Sequence, residues 1–138
     1  MQVVIDTNVL ISSTLEPRGN PAAIIKLISD KRVQLFLCAE ILDEYKRVLA
    51  YKRLNISTPT QEKVIALVTE LGVMIEPVAS TITLPDESDR CFYDTAKSSG
   101  STLVTGNTKH FPAEPFIVTP SDFLSSYNAQ ASKAEDTL

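Results

Sequence analysis

The residues of this chain that could do chemistry are carboxylates, placed where apolar runs end or helical stripes have an edge. Asp6 directly follows the run VVI at 3–5. At about 100° per residue, Ile41, Leu42, Tyr45, Val48 and Leu49 share one helix face. Glu44 lies on the edge of that face, Asp43 points nearly opposite, and Glu40 is well off it. The stretch PDESDR, 85–90, puts Asp86, Glu87 and Asp89 at a helix start. Asp89 flanks the apolar face of Cys91, Phe92, Thr95 and Ala96, whereas Arg90 and Asp94 point the other way. The fourth place holds an amide: the buried run that ends at Gly106 is followed by Asn107.

If these four places meet, their acidic oxygens repel unless a cation neutralises them. Oxygen ligands without His or Cys favour Mg²⁺ or Mn²⁺. Such ions activate water and stabilise a leaving oxygen in phosphodiester hydrolysis. Each residue also has a plainer reading. Asp6 suits a turn, because Asp-Thr-Asn bonds its own backbone. Glu44 could be a solvated flank beside Lys46 or Arg47. Acids in a first turn favour the helix dipole, and Asp86 suits an N-cap. Asn107 could cap a short turn ended by Pro112.

The elements that would position these residues alternate. Short apolar runs at 3–5, 33–39, 72–78, 101–106 and 115–120 suit strands buried on both faces. Helical patterns lie between them. Asn20 as N-cap with Pro21 at the first helical position opens one. The segment 39–53 carries the Glu44 stripe. Thr58, Pro59 and Gln61 open a third, which ends at Gly72, and 86–100 ends at Gly100. Alternating strands and helices predict an α/β domain with a parallel sheet, in which ligands bind outside the carboxyl ends of the strands. The polar stretch 128–138 reads as a frayed, disordered tail after a domain at 1–127.

The chain has 138 residues, enough for one domain with a real core. A net charge of −4 gives no global attraction for nucleic acid, so RNA contact needs a local basic patch. Cys38 and Cys91 sit in no CxxC spacing, and His110 is the single histidine, which argues against zinc. Both cysteines read as buried free thiols in a reducing cytosol. The start QVVIDTN has no leader pattern, and no apolar run nears the about 18 residues of a membrane span. A cytoplasmic protein without a membrane partner is expected.

Four blocks, VVIDTNVLISS, EILDEYKRVL, PDESDRCFYDTAKSSG and LVTGNTKHF, resemble in order the motif blocks of the PIN-domain ribonucleases. The match runs from residue 2 to about 124. It is most similar to the PIN proteins described as toxin components of toxin–antitoxin pairs, relatives of VapC. The resemblance implies a three-layer α/β/α, Rossmann-like fold with a central parallel sheet of four or five strands. It implies Mg²⁺- or Mn²⁺-dependent RNA cleavage, an antitoxin partner and a homodimer. Asp6, Glu44 and Asp89 match the family acids and would ligate metal. Thr7 and Asn8 match supporting neighbours, and Asp86 and Glu87 lie close by. Thr105 matches the threonine two residues before the fourth acid.

At that fourth position Asn107 stands where many relatives have Asp. Its carbonyl oxygen still suits a hard cation, but the lost charge lowers metal affinity and puts a second metal in doubt. Among basic residues, Arg47, Arg90, Lys109 and His110 are candidates for RNA contact, and all four also suit a solvated surface. Lys46, Lys52, Arg53 and Lys97 lie near them in sequence. A PIN fold that binds RNA or protein but cuts weakly is the alternative. The chain lacks GxGxxG and GxxxxGK[ST], against a nucleotide-binding domain.

Overall fold

The computed structural model describes residues 1–136. Its centre is β1 (Gln2–Ile5), where Val3, Val4 and Ile5 are buried on both faces. That burial explains an apolar run without alternation. β2 (Gln34–Leu37), β3 (Val73–Met74), β4 (Thr102–Val104) and β5 (Ile117–Val118) complete one sheet. All pairings are parallel, in the order β3-β2-β1-β4-β5. Ile5 lies opposite Val104, so β1 and β4 finish side by side. The chain moves outward from β1 to β2 and β3, then returns to the other side of β1 for β4. This reversal makes the crevice where α/β sheets take ligands.

Six helices flank the sheet: α1 (Thr7–Leu15), α2 (Asn20–Ser29), α3 (Ala39–Leu49), α4 (Thr58–Leu71), α5 (Arg90–Ser99) and α6 (Pro120–Asp136). The three-layer α/β/α arrangement is therefore present. α5 packs on β1, β2 and β4, and α1 packs between α2 and α3. Single 3₁₀ turns occupy Lys52–Leu54, Glu87–Asp89 and Thr108–His110. Gly100 ends α5 with φ of 66°, the left-handed geometry that glycine adopts freely.

Several local expectations shift. The run 33–39 gives only a four-residue strand, because Cys38 turns out to cap α3. The run 72–78 pairs only at two residues on the sheet edge. α2 is preceded by Gly19 as N-cap rather than Asn20. Ser57 caps α4, accepting from the Thr60 amide at 3.3 Å, while Gln61 donates back to the Ile56 carbonyl at 2.8 Å.

Two helices were not expected at all. α1 buries Thr7 and then Val9, Leu10 and Ile11 side by side, so no amphipathic stripe advertises it. α6 runs through 128–136, correcting the disordered tail expected there; only 137–138 lie outside the described residues. The physical reason is propensity: Ala129, Gln130, Ala131, Lys133, Ala134 and Glu135 are good helix formers whatever their polarity. The Thr119 hydroxyl accepts from the Asp122 amide at 3.1 Å and begins the helix.

Candidate active site

The carboxyl ends of β1 and β4 bring the first and fourth places together. Asp6 is buried and forms the N-cap of α1, with Oδ1 accepting from the Thr7 amide at 2.8 Å. Its Oδ2 accepts from the Thr105 hydroxyl at 2.8 Å. Thr105 Oγ1 in turn accepts from the Asn107 amide at 3.1 Å. One hydroxyl thus ties the loop after β4 to the acid after β1. A second tie is Asn8, whose Oδ1 accepts from the Gly106 amide at 3.1 Å. A Cβ at residue 106 would lie 3.3 Å from that oxygen, a tight contact that glycine avoids.

Glu44 turns inward from α3, its side chain 19% exposed while Asp43 and Glu40 face solvent. The Thr7 hydroxyl donates to Glu44 Oε2. Arg47 lies 3.6 Å from Oε1 and is itself mostly exposed. The next residue, Tyr45, is fully buried, and its hydroxyl donates to the Ile5 carbonyl just before Asp6. Adjacent residues of α3 therefore hold both the second acid and the backbone that carries the first.

Asp89 ends the 3₁₀ turn before α5 and is half-buried. Burial first, then the charges of Asp6 and Asp86, raise its carboxyl to about 6. Glu44 raises it further and His110 opposes the rise. Asp6 is also raised, chiefly by burial, with Glu44 adding to the rise; its bonds from Thr105 and Thr7 and the nearby His110 oppose it. Asp86 is exposed, bonds the Ser88 amide at 2.9 Å, and is lowered by that bond. Asp6, Glu44, Asp86 and Asp89 thus share one electrostatic neighbourhood.

Among the described residues, no three His, Cys, Asp or Glu side chains form a closed ligand cluster. The acids instead take internal partners: Thr7 and Thr105 for Asp6, Thr7 and Arg47 for Glu44. Like charges that repel settle onto such donors. The donor set itself is all oxygen and fits a hard divalent cation.

Asn107 is half-buried at the cap of the 3₁₀ turn, but its side chain makes no capping bond. Its Nδ2 meets His110 Nε2 at 3.0 Å. Lys109 and His110 are exposed beside it. The Arg90 guanidinium donates to Glu87 at 2.6 and 2.8 Å, to the Ser80 carbonyl and hydroxyl, and to the Ile82 carbonyl at 2.6 Å. Five donors in a planar fork suit a loop clamp, and here all five have partners within the chain. Asp94, expected to point away from the apolar face of its helix, is buried and accepts from the Ser80 amide at 3.2 Å. Both residues pin the irregular segment 79–82 to α5, a role with no periodic signature.

The profile of the PIN domain family matches residues 2–109. An uncharacterized protein of Methanocaldococcus jannaschii is 28% identical over 110 residues, which cover 78% of this chain and 71% of that one. A chain of the crystal structure of VapBC2 from Rickettsia felis, bound to a DNA fragment from their promoter, superposes with a TM-score of 0.59 at 14% identity. The superposition covers 86% of this chain and 97% of that chain, and it shows a shared fold.

Proposed function

The chain belongs to the PIN domain family, and from that membership and its acidic sheet edge we propose that it is a metal-dependent endoribonuclease. The observation that carries this reading is geometric: Thr7 bonds both Asp6 and Glu44, and Thr105 bonds Asp6, where β1 and β4 end side by side, with Asp89 in the same electrostatic field. A fold that buries acids against one another is unfavourable until something cationic joins them. Mg²⁺ or Mn²⁺, when bound, would supply an activated water and neutralise charge on the phosphate.

Asp6, Asp89 and Glu44 are the residues we assign to hold the ion, with the Asn107 carbonyl as a neutral oxygen beside them. Thr105 holds Asp6 in orientation through Oδ2, and Thr7 does the same for Glu44. Asn8 keeps the Gly106 loop against α1. Lys109 and His110, exposed next to Asn107, would face the phosphate backbone, and Arg47 would extend that path along α3. We assign the substrate to cytoplasmic RNA. We also propose that the protein is the toxin of a type II toxin–antitoxin pair and acts as a homodimer; the shared fold with a chain of VapBC2 supports this reading.

The test is cleavage of labelled single-stranded RNA with Mn²⁺, Mg²⁺ or EDTA, with Asp6→Asn in parallel. Cleavage that requires metal and vanishes in the variant is the expected result. RNA retained but uncut by either form would favour a binding module. The engagement of Asn107 with His110, where relatives offer a fourth carboxylate, is the observation on that side.

A further inference from the structure

The crevice at the ends of β1 and β4 holds more than acids. Beside Asp6 lies a cavity of about 260 Å³, lined by Asn8, Val9, Ser12, Pro21, Gly106 and Pro120. Four elements build it. α1 gives Asn8, Val9 and Ser12, α2 and α6 each give the proline of their first turn, and the loop after β4 gives Gly106. Val9 and the two prolines are apolar, and the polar side chains are Asn8 and Ser12. Sites for drug-sized ligands occupy about 300–1,000 Å³. This smaller space suits a single flat ring system.

The two polar side chains keep hydrogen-bonding capacity that the fold does not use. Ser13 and Thr14 turn their hydroxyls back onto the Leu10 and Ile11 carbonyls. The Ser12 hydroxyl makes no such bond among the described residues. Asn8 Oδ1 accepts from the Gly106 amide at 3.1 Å. A backbone N–H can only donate, so this bond fixes which end of the Asn8 amide is oxygen. The carbonyl end is committed to the loop. The amino end, with its two donors, has no partner among the described residues. Asn8 and Ser12 are four positions apart on α1 and therefore share a face.

We propose that this cavity is a nucleobase subsite, which takes one unstacked RNA base and prefers a ring edge bearing an oxygen, uracil over cytosine. The proposal rests on the ribonuclease reading and adds to it a place and a rule for base choice. Sequence in single-stranded RNA is read on the edges of such splayed bases. The Asn8 amino group donates to the uracil O4, and the Ser12 hydroxyl accepts from the neighbouring N3–H. Cytosine presents an amino group at the same place, donor against donor, and leaves both unpaired. Asparagine reads adenine with both ends of its amide. Here one end is already taken. The chain also sets the base next to the proposed chemistry. Asn8 lies two residues after Asp6, and Gly106 follows Thr105, whose hydroxyl bonds Asp6 Oδ2.

Uridine and cytidine test the cavity without phosphate or metal. The isotope-labelled full chain is titrated with each nucleoside in EDTA and followed by amide NMR. We expect saturable shifts of the Asn8 side-chain amide and of the Ser12 and Gly106 amides, with uridine bound about tenfold more tightly than cytidine. Ser12→Leu puts a good helix former in the cavity wall; it should lose these shifts and keep the rest of the spectrum. Ser12→Ala leaves the space open and should narrow the preference. With Mn²⁺, oligouridylate should be cut with a higher kcat/KM than oligocytidylate. Shifts that are absent, that map elsewhere, or that show no preference for uridine would overturn the subsite. Uridine held there by a chain that cuts no RNA would sink the ribonuclease reading and leave a base-binding site. RNA cut by a chain that does not bind uridine would do the reverse.

Discussion

Replacing Asp89 by Asn separates what the acid does for the fold from what it does for function. Holding a carboxyl at about 6 rather than 3.8 costs the charged form about 3 kcal/mol at neutral pH, at about 1.4 kcal/mol per pH unit. The group is only half-buried, so solvent screening reduces the effect to about 1 kcal/mol. Its place at the start of α5 also favours the charge slightly. Asp89→Asn is therefore expected to stabilise the metal-free protein by about 1 kcal/mol at pH 7.5. The pH dependence has a definite sign. Between 3.8 and about 6 the folded chain holds more protons at Asp89 than the unfolded chain does. Its contribution to stability therefore declines as pH rises through that window, and the variant should lack this decline. Urea unfolding with EDTA at pH 5 and pH 7.5, for both proteins, measures it. With Mn²⁺ the order should reverse, since only the parent can offer the charged ligand. A variant less stable than the parent at pH 7.5 without metal would refute the repulsion argument.

Thr105→Val removes the hydroxyl shared by Asp6 Oδ2 and the Asn107 amide. It should cost about 2 kcal/mol in urea unfolding and push the Asp6 carboxyl higher still; NMR titration of Asp6 checks the second part. Lys109→Ala should weaken RNA binding and flatten its salt dependence. Arg90→Ala should instead lower the melting temperature with RNA affinity little changed, because its donors hold Ser80 and Ile82; anisotropy and thermal melts separate the two. Asn107→Asp should raise Mn²⁺ affinity severalfold and destabilise the metal-free protein at neutral pH. Higher stability without metal would show that the fourth place lies outside the acidic field.

What could be read from the sequence depended on periodicity. The inward turn of Glu44 follows from its angle to the stripe of Ile41, Tyr45 and Leu49, and all three are buried. The parallel sheet follows from runs without alternation, such as Val3, Val4 and Ile5. α1 could not be recognised, because a helix buried by α2 and α3 together shows apolar residues on more than one side. α6 carried a usable signal, Thr119 before Pro120, the same pair that Thr58 and Pro59 make near the start of α4. The bonds that Arg90 and Asp94 make to 79–82 could not be foreseen, because that segment has no pattern. The link from Tyr45 to the Ile5 carbonyl joins residues 40 apart, and nothing local announces it.

The hydroxyl of Thr105 reaches Asp6 across 99 positions of chain, and β4 enters the sheet beside β1 only after β2 and β3 have been made. During synthesis, Asp6 emerges 99 residues before the Thr105 that orients it. Long-range pairing of this kind is slow to form. A growing chain would therefore carry Asp6 without its orienting hydroxyl until β4 has been made. Under the proposed ribonuclease function, strand order alone would delay activity until β4 has joined the sheet.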